Sequence, residues 1–148
     1  MTYKGFFKPS NPQKYKGNPA NIIYRSRWEL LVMDRFDKDP NVLWWGSEET
    51  IVPYRSPIDG RLHRYFVDFT VKFKTTDGKT KTALIEVKPL AQTKPPVIQE
   101  SKKKTKKYIS EVMTWGVNEA KWKAAKEYCE DRGMDFIILT EKELGIKF

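Results

Sequence analysis

Three side chains in the middle of this chain have types and spacing suited to metal-assisted hydrolysis. Thr82-Ala83-Leu84-Ile85-Glu86-Val87-Lys88 is an apolar run carrying Glu-x-Lys near its end, and Phe66-Val67-Asp68-Phe69 lies just upstream. Successive side chains of a strand point to opposite faces, so Glu86 and Lys88 share one face while Ile85 and Val87 take the other. A carboxylate and an ammonium on one sheet edge, beside the carboxylate of Asp68, could hold a divalent metal and activate a water. Glu29, on a preceding helix, is a further acid. Hard oxygen ligands of this kind suit magnesium or manganese, which keep several waters and take one or two protein carboxylates.

Each of these residues also has a plainer reading. An Asp in mid-strand is a poor β-former and costs desolvation energy unless compensated, so Asp68 is either a site residue or a solvent-facing acid paired with Arg64. Ser26-x-x-Glu29 is a capping-box pattern, in which Glu29 only bonds the backbone at a helix start. If the helix begins at Pro19 instead, Glu29 lies mid-helix and has no such task. The run Ile22-Ile23-Tyr24 ahead of Ser26 favours the early start. His63 is the only histidine and has no obvious partner, which removes Ser–His and Cys–His nucleophiles and leaves it a polar strand residue near a hairpin. Cys129 is the only cysteine, so there is no intrachain disulfide and no zinc site of the Cys/His kind.

The elements that must position these groups follow from pattern. A helix carries Trp28, Leu31, Val32 and Phe36 on one face and stops near Asp39-Pro40. Val42–Trp45 is a short extended piece and Glu48–Tyr54 a first strand. Pro57-Ile58-Asp59-Gly60 turns into a long second strand, Arg61 to Lys74, with Tyr65, Val67, Phe69, Val71 and Phe73 on its core face. Asp77-Gly78 turns into a third, Lys79 to Lys88, which makes a three-stranded antiparallel meander. The proline-bearing stretch Leu90–Gln99 is a loop. A second helical stripe runs through Tyr108, Val112 and Trp115, is weakened at Gly116, resumes over Val117, Ala120, Ala124 and Tyr128, and ends at Arg132-Gly133. Met134–Leu139 fits a buried strand, and Thr140–Glu143 caps a last short helix. The expected class is α/β, in the order α-β-β-β-α-β-α, as one domain over residues 21–148 preceded by a flexible basic arm over residues 1–20.

The 148 residues carry 28 Lys+Arg against 19 Asp+Glu, a formal net charge of +9, with 5 Trp, 7 Tyr and 8 Phe. That balance bears on partners rather than fold, and nucleic acid is the commonest polyanionic partner. In the arm, Lys4, Lys8, Lys14 and Lys16 interleave with Tyr3, Phe6, Phe7 and Tyr15, an arrangement suited to phosphate contact and base stacking. The alternative is a tail whose aromatics pack on the domain. Lys102, Lys103, Lys104, Lys106 and Lys107 form a run without an acid, and positive charge at a helix N-terminus opposes the macrodipole, which suits phosphate binding better than stability. No apolar run approaches the ~20 residues of a membrane helix and the N-terminus has no signal-like apolar stretch, so a soluble, intracellular protein is expected. With nucleic acid as partner, the carboxylates and Lys88 have a reaction to run. A bound metal deprotonates water and neutralises the scissile phosphate, and Lys88 can orient the water or stabilise developing negative charge.

Asp68, seventeen residues, then Glu86-Val87-Lys88, with Glu29 on the preceding helix, resembles the PD-(D/E)xK nuclease superfamily and its α-β-β-β-α-β, restriction-endonuclease-like core. Arg25-Ser26-x-Trp28-Glu29, Tyr65-Phe66-x-Asp68-Phe69 and Ile85-Glu86-Val87-Lys88 resemble its TnsA-like branch. Nearly the whole chain is similar to the head completion nucleases of T-even-like tailed phages, including Lys14-Tyr15-x-Gly17-Asn18, Tyr54-Arg55-Ser56-Pro57-x-Asp59-Gly60 and Thr140-Glu141-Lys142-Glu143-Leu144-Gly145-Ile146. Val67 stands where the superfamily name has proline, a position often changed in active members. The resemblance implies a Mg2+-dependent endodeoxyribonuclease, with Mn2+ as a substitute, acting on double-stranded DNA. Asp68 and Glu86 would be metal ligands, Lys88 the water-positioning or charge-stabilising group, and Glu29 a further ligand or the holder of a metal-bound water. Lys14, Lys16, Gln92 and the lysines of 102–107 would contact phosphate. It further implies portal or neck proteins as partners and a place in the virion or the cytoplasm of an infected bacterium. The rival readings are a neck or portal-vertex protein that binds DNA on a non-cutting nuclease fold, and a transposase- or junction-type endonuclease.

Overall fold

The computed structural model describes residues 4–97 and 105–145. Its main sheet has the order β3-β6-β7-β8, built from Val42–Ser47, Phe69–Lys74, Thr80–Val87 and Asp135–Leu139. The first three strands run antiparallel and β8 joins β7 in parallel. A parallel neighbour needs a long crossover, and helix α2 (Lys106–Arg132) lies in that connection. Helix α1 (Arg27–Lys38) covers one face, where Val32 and Met33 meet Trp45, Phe69, Val71, Ala83 and Ile85. On the other face Leu84 packs with Trp122, Ala125 and Cys129 of α2 and with Val52, Tyr54 and Tyr65. Strand alternation therefore sends Glu86, two residues after Leu84, to the α2 side.

The long second strand expected over Arg61–Lys74 is broken. Leu62–Phe66 (β5) pairs with Ile51–Arg55 (β4) in a separate two-stranded ribbon, and β6 starts afresh at Phe69. The meander is accordingly replaced by two hairpins plus β3, and the piece at Val42–Trp45 is a full strand of the main sheet. Between the pairs Ser47↔Phe69 and Ile51↔Phe66, Glu48, Glu49 and Thr50 face only Val67 and Asp68. One extra residue on one side is a β-bulge, which bends a strand and re-aims its side chains. The bend is held by Glu48 N–H donating to Asp68 O (3.1 Å) and Val67 N–H donating to Thr50 O (3.1 Å).

Other expectations shift for local reasons. Helix α1 begins at Arg27, with Ser26 as cap accepting from Glu29 N–H (3.1 Å), not at Pro19. Ile22 and Tyr24 lie ahead of it: Ile23–Tyr24 (β2) pairs with Gly5–Phe6 (β1), so the apolar run is an extended segment. Helix α2 passes unbroken through Gly116, since burial of Trp122, Ala125 and Cys129 outweighs the ~1 kcal/mol that glycine costs in a helix. It stops at Gly133, whose φ of +65° suits a residue without Cβ. Strand β8 sits at the sheet edge and is half-buried rather than buried. Thr140 and Glu143 close a capping box on α3 (Glu141–Leu144).

The arm is not free. Phe7 and Tyr15 are core residues packed edge-on against Trp45, with ring centroids 5.8 and 4.7 Å away. The buried Asp37 carboxylate accepts from the backbone N–H groups of Ser10 (2.8 Å) and Asn11 (2.9 Å). Lys14 Nζ donates to the carbonyls of Asp37 (2.9 Å) and Asp39 (2.8 Å), where a cation suits the negative end of α1. Of the two readings of this segment, packing describes Phe7 and Tyr15, while Phe6 is exposed and Tyr3 lies outside the described residues. No helix among the described residues is long and apolar enough to cross a membrane.

Candidate active site

Asp68 sits in the break between β5 and β6, not in mid-strand. Because β6 pairs with β7 only from Phe69↔Ile85 onward, the backbone N–H of Val87 points past the end of that ladder. Asp68 Oδ2 accepts it at 2.8 Å. Arg64 is not the partner; its guanidinium lies over the Phe66 ring, 5.7 Å from the centroid. The bulge thus sets one carboxylate against the end of β7, beside the strand that carries Glu86.

Glu86 is 7% exposed. One carboxylate oxygen accepts the hydroxyl of Tyr65, and Lys88 Nζ lies 3.9 Å from the other. Trp122 packs in the same cluster as Tyr65, and Lys121 Nζ lies over the Tyr65 ring, 5.5 Å from its centroid. Two strands and α2 therefore fix this side chain. Lys88 leaves β7 anchored by its own N–H to Leu139 O (2.9 Å), and its side chain is mostly enclosed.

Burial pushes the Asp68 carboxyl up to about 8, and the neighbouring charges of Glu86 and Glu29 push the same way; the Val87 N–H and Lys88 oppose them. Glu86 is also raised by burial, against the stabilising effects of Tyr65, Lys88 and Lys121. Burial and the Glu86 charge raise the Tyr65 hydroxyl well above its ordinary value, so it is a donor at any accessible pH. The pair is short of positive charge.

Glu29 takes the capping role that Ser26-x-x-Glu29 offers, and its charge also acts on Asp68. Its carboxylate caps the start of α1, accepting from Arg25 N–H and the Ser26 hydroxyl, each at 3.4 Å. Burial raises it, and it feels Arg25 and Glu48 while adding to the charge on Asp68. Two residues outside the expected set adjoin it. Arg25 Nη1 and Glu48 Oε2 form an ion pair at 2.8 Å, and the charges of Glu29 and Asp68 also act on Arg25. Nothing local in the sequence marks Glu48, because the bulge that places it is a long-range pairing.

Among the described residues, no three His, Cys, Asp or Glu side chains converge as a ready-made metal cage. Two enclosed oxygen-donor carboxylates held by fixed partners still fit a hard divalent cation, which uses one or two carboxylates and retains water. Of the expected phosphate contacts, Lys106 and Lys107 are exposed in the first turn of α2, a turn with no acid. Lys16 lies over the Trp44 ring at 5.2 Å, and Lys14 is engaged by α1. Lys102, Lys103 and Lys104 lie outside the described residues. Gln92 is in a 3-10 turn (Leu90–Thr93) and lines a cavity of about 400 Å³ with Lys94, Ser110 and Trp115, away from the carboxylates. His63 does have a partner, Asp59 in the hairpin turn (2.8 Å), and takes no part in the carboxylate cluster.

The bulge-placed Asp68, the buried Glu86 and Lys88 two residues on all lie within the stretch that identifies the chain's family. Residues 39–141, more than two-thirds of the chain, match the N-terminal domain of TnsA-like endonucleases, and the chain belongs to that family. It is similar over its length to the head completion nuclease of Enterobacteria phage T4, 40% identical over 152 aligned residues that cover 99% of each protein. No solved structure matches it. Glu29 precedes the matched stretch.

Proposed function

We propose that this chain is a Mg2+-dependent DNA endonuclease of phage head completion, with a restriction-endonuclease-like core and Asp68 and Glu86 as its metal-holding residues. The observation that carries the chemistry is the enclosed Asp68–Glu86 pair with Lys88 as its nearest cation. The setting in head completion rests on the whole-length likeness to the T4 protein. The site favours no one portal or neck protein as partner.

A divalent cation bound by Asp68 and Glu86, with Glu29 at its margin, would supply Lewis-acid polarisation of the phosphate and a more acidic water. Manganese fits the same oxygen donors. The chain's own groups do the rest. Val87 N–H and Tyr65 hold the two carboxylates in one geometry, so little reorganisation remains for the reaction. The Lys88 ammonium faces the charge that builds on phosphate oxygens, and the buried Tyr65 and Trp122 keep water from the Glu86 side. Lys106 and Lys107 meet backbone phosphates without reading bases, which favours low sequence specificity.

Incubation of the purified protein with supercoiled plasmid tests this reading. Nicked and linear products are expected with magnesium or manganese and none with EDTA. Binding without cutting under every metal condition would contradict it and favour a neck-type DNA-binding role.

Tyr65→Phe is expected to slow cleavage about tenfold at neutral pH, the scale of losing one charge-assisted hydrogen bond. The Tyr65 hydroxyl stabilises ionised Glu86, so its removal raises that carboxyl. The acidic limb of the pH–rate profile should move to higher pH; an unmoved limb would show that Tyr65 does not position Glu86.

A further inference from the structure

We propose that Arg25 is a phosphate-binding residue of this site, and that Glu48 holds its guanidinium in place for a backbone phosphate of the bound DNA. The inference rests on the nuclease reading and adds a residue to it.

A chain of contacts runs through Arg25. Its backbone N–H donates to Glu29 (3.4 Å), its side chain pairs with Glu48 at 2.8 Å, and Glu48 N–H donates to Asp68 O at 3.1 Å. The residue is thereby tied to Glu29 through its backbone and to Glu48 through its guanidinium. Glu48 occupies the left-handed region, with φ +54°, the one non-glycine among the described residues to do so. That conformation is costly for a residue with a Cβ and persists where surrounding structure demands it. The ion pair does not account for it as a stability device. Both side chains are well exposed, 50% for Arg25 and 36% for Glu48, and exposed pairs contribute little. The bulge instead aims Glu48 at Arg25.

What the pair accomplishes is placement. The charges of Glu29 and Asp68 act on the guanidinium as well as that of Glu48. Unheld, it is drawn onto Asp68 and neutralises a carboxylate needed for the cation. Held by Glu48, it stays at the open margin of the cluster. A guanidinium has five N–H donors in a fixed fork, so it can keep one carboxylate and still take a phosphate oxygen. Lys88 is the more enclosed of the two cations and Arg25 the more exposed.

Binding of a fluorescent DNA duplex in EDTA, measured against salt concentration, reads this contact without metal or turnover. Arg25→Ala should flatten the plot of log affinity against log salt by about 0.9, the value of one lost phosphate contact, while Arg25→Lys keeps the wild-type slope. Circular dichroism and melting confirm that both variants are folded. An unchanged slope in Arg25→Ala, or an equal fall in both variants, overturns the inference. Should wild type cut plasmid while either of those results holds, only this inference falls. Should wild type neither bind nor cut DNA, the nuclease reading falls and Arg25 with it.

Discussion

Asp68→Asn and Glu86→Gln should each cleave plasmid at least about a thousandfold more slowly than wild type in saturating magnesium. Both substitutions keep the shape of the side chain and remove one negative charge. The carboxamide oxygen of Asp68→Asn can still accept the Val87 N–H, and that of Glu86→Gln the Tyr65 hydroxyl, so the fold around them is retained. What is lost is half of the charge that holds the cation, and with it the polarisation of the phosphate. A thousandfold corresponds to about 4 kcal/mol of transition-state stabilisation, the scale on which removal of a single preorganised electrostatic group acts. Lys88→Ala belongs to the same class but leaves the cation in place, so a smaller loss is expected. Single-turnover cleavage with excess protein, alongside duplex binding in EDTA, separates chemistry from affinity. Undiminished cutting by either carboxamide variant would put the reacting centre elsewhere.

The second large effect concerns stability and runs in the opposite direction. In metal-free solution Asp68 titrates at about 8 in the folded chain, against about 3.9 in an unfolded one. The folded state therefore binds this proton more tightly than the unfolded state. The stability it contributes is complete below pH ~4 and is lost as the pH climbs to 8 and beyond. A carboxamide is neutral throughout and escapes that loss. In EDTA at pH 8.5, Asp68→Asn should be more stable than wild type by on the order of 3 kcal/mol, since solvent at the open side screens part of the full linkage. For a chain of this size that is roughly 6–12 °C in melting temperature. At pH 4 the two should melt together. Manganese should raise the melting point of wild type at pH 8.5 and leave that of the variant nearly unchanged, because the cation relieves a repulsion that the variant lacks. A variant less stable than wild type at pH 8.5 would mean that the buried pair is not under electrostatic strain. Stability sacrificed at a functional site is a common trade.

The chemistry is more legible in the sequence than the geometry that arranges it. Asp68, Glu86 and Lys88 stand out because acids are rare in strand interiors, and strand parity puts Glu86 and Lys88 on one face, as the fold does. The turns at Asp59-Gly60 and Asp77-Gly78, the Gly133 stop and the Thr140 cap are local, and local pattern suffices to find them. The break at Val67–Asp68 is hidden because apolar alternation continues through it: Tyr65, Val67 and Phe69 are all buried although they serve two different sheets. What creates the break is the extra residue at Glu48–Thr50, a pairing about twenty residues away that no local pattern encodes. The Arg25–Glu48 contact is invisible for the same reason. Glu29 is ambiguous in sequence because it does two things, capping α1 while adding its charge to the site. The first twenty residues look like an arm because proline, glycine and lysine dominate them. Phe7, Tyr15 and the buried Asp37 tie residues 7–15 to the domain, and only the fold brings those three together.

The most direct test of the central claim is a crystal structure of the protein soaked in manganese, with anomalous diffraction recorded at the metal edge. A single strong peak in contact with carboxylate oxygens of both Asp68 and Glu86 is the predicted result. Manganese bound at another cluster, with those two carboxylates untouched in crystals of a protein that cuts DNA, would contradict it.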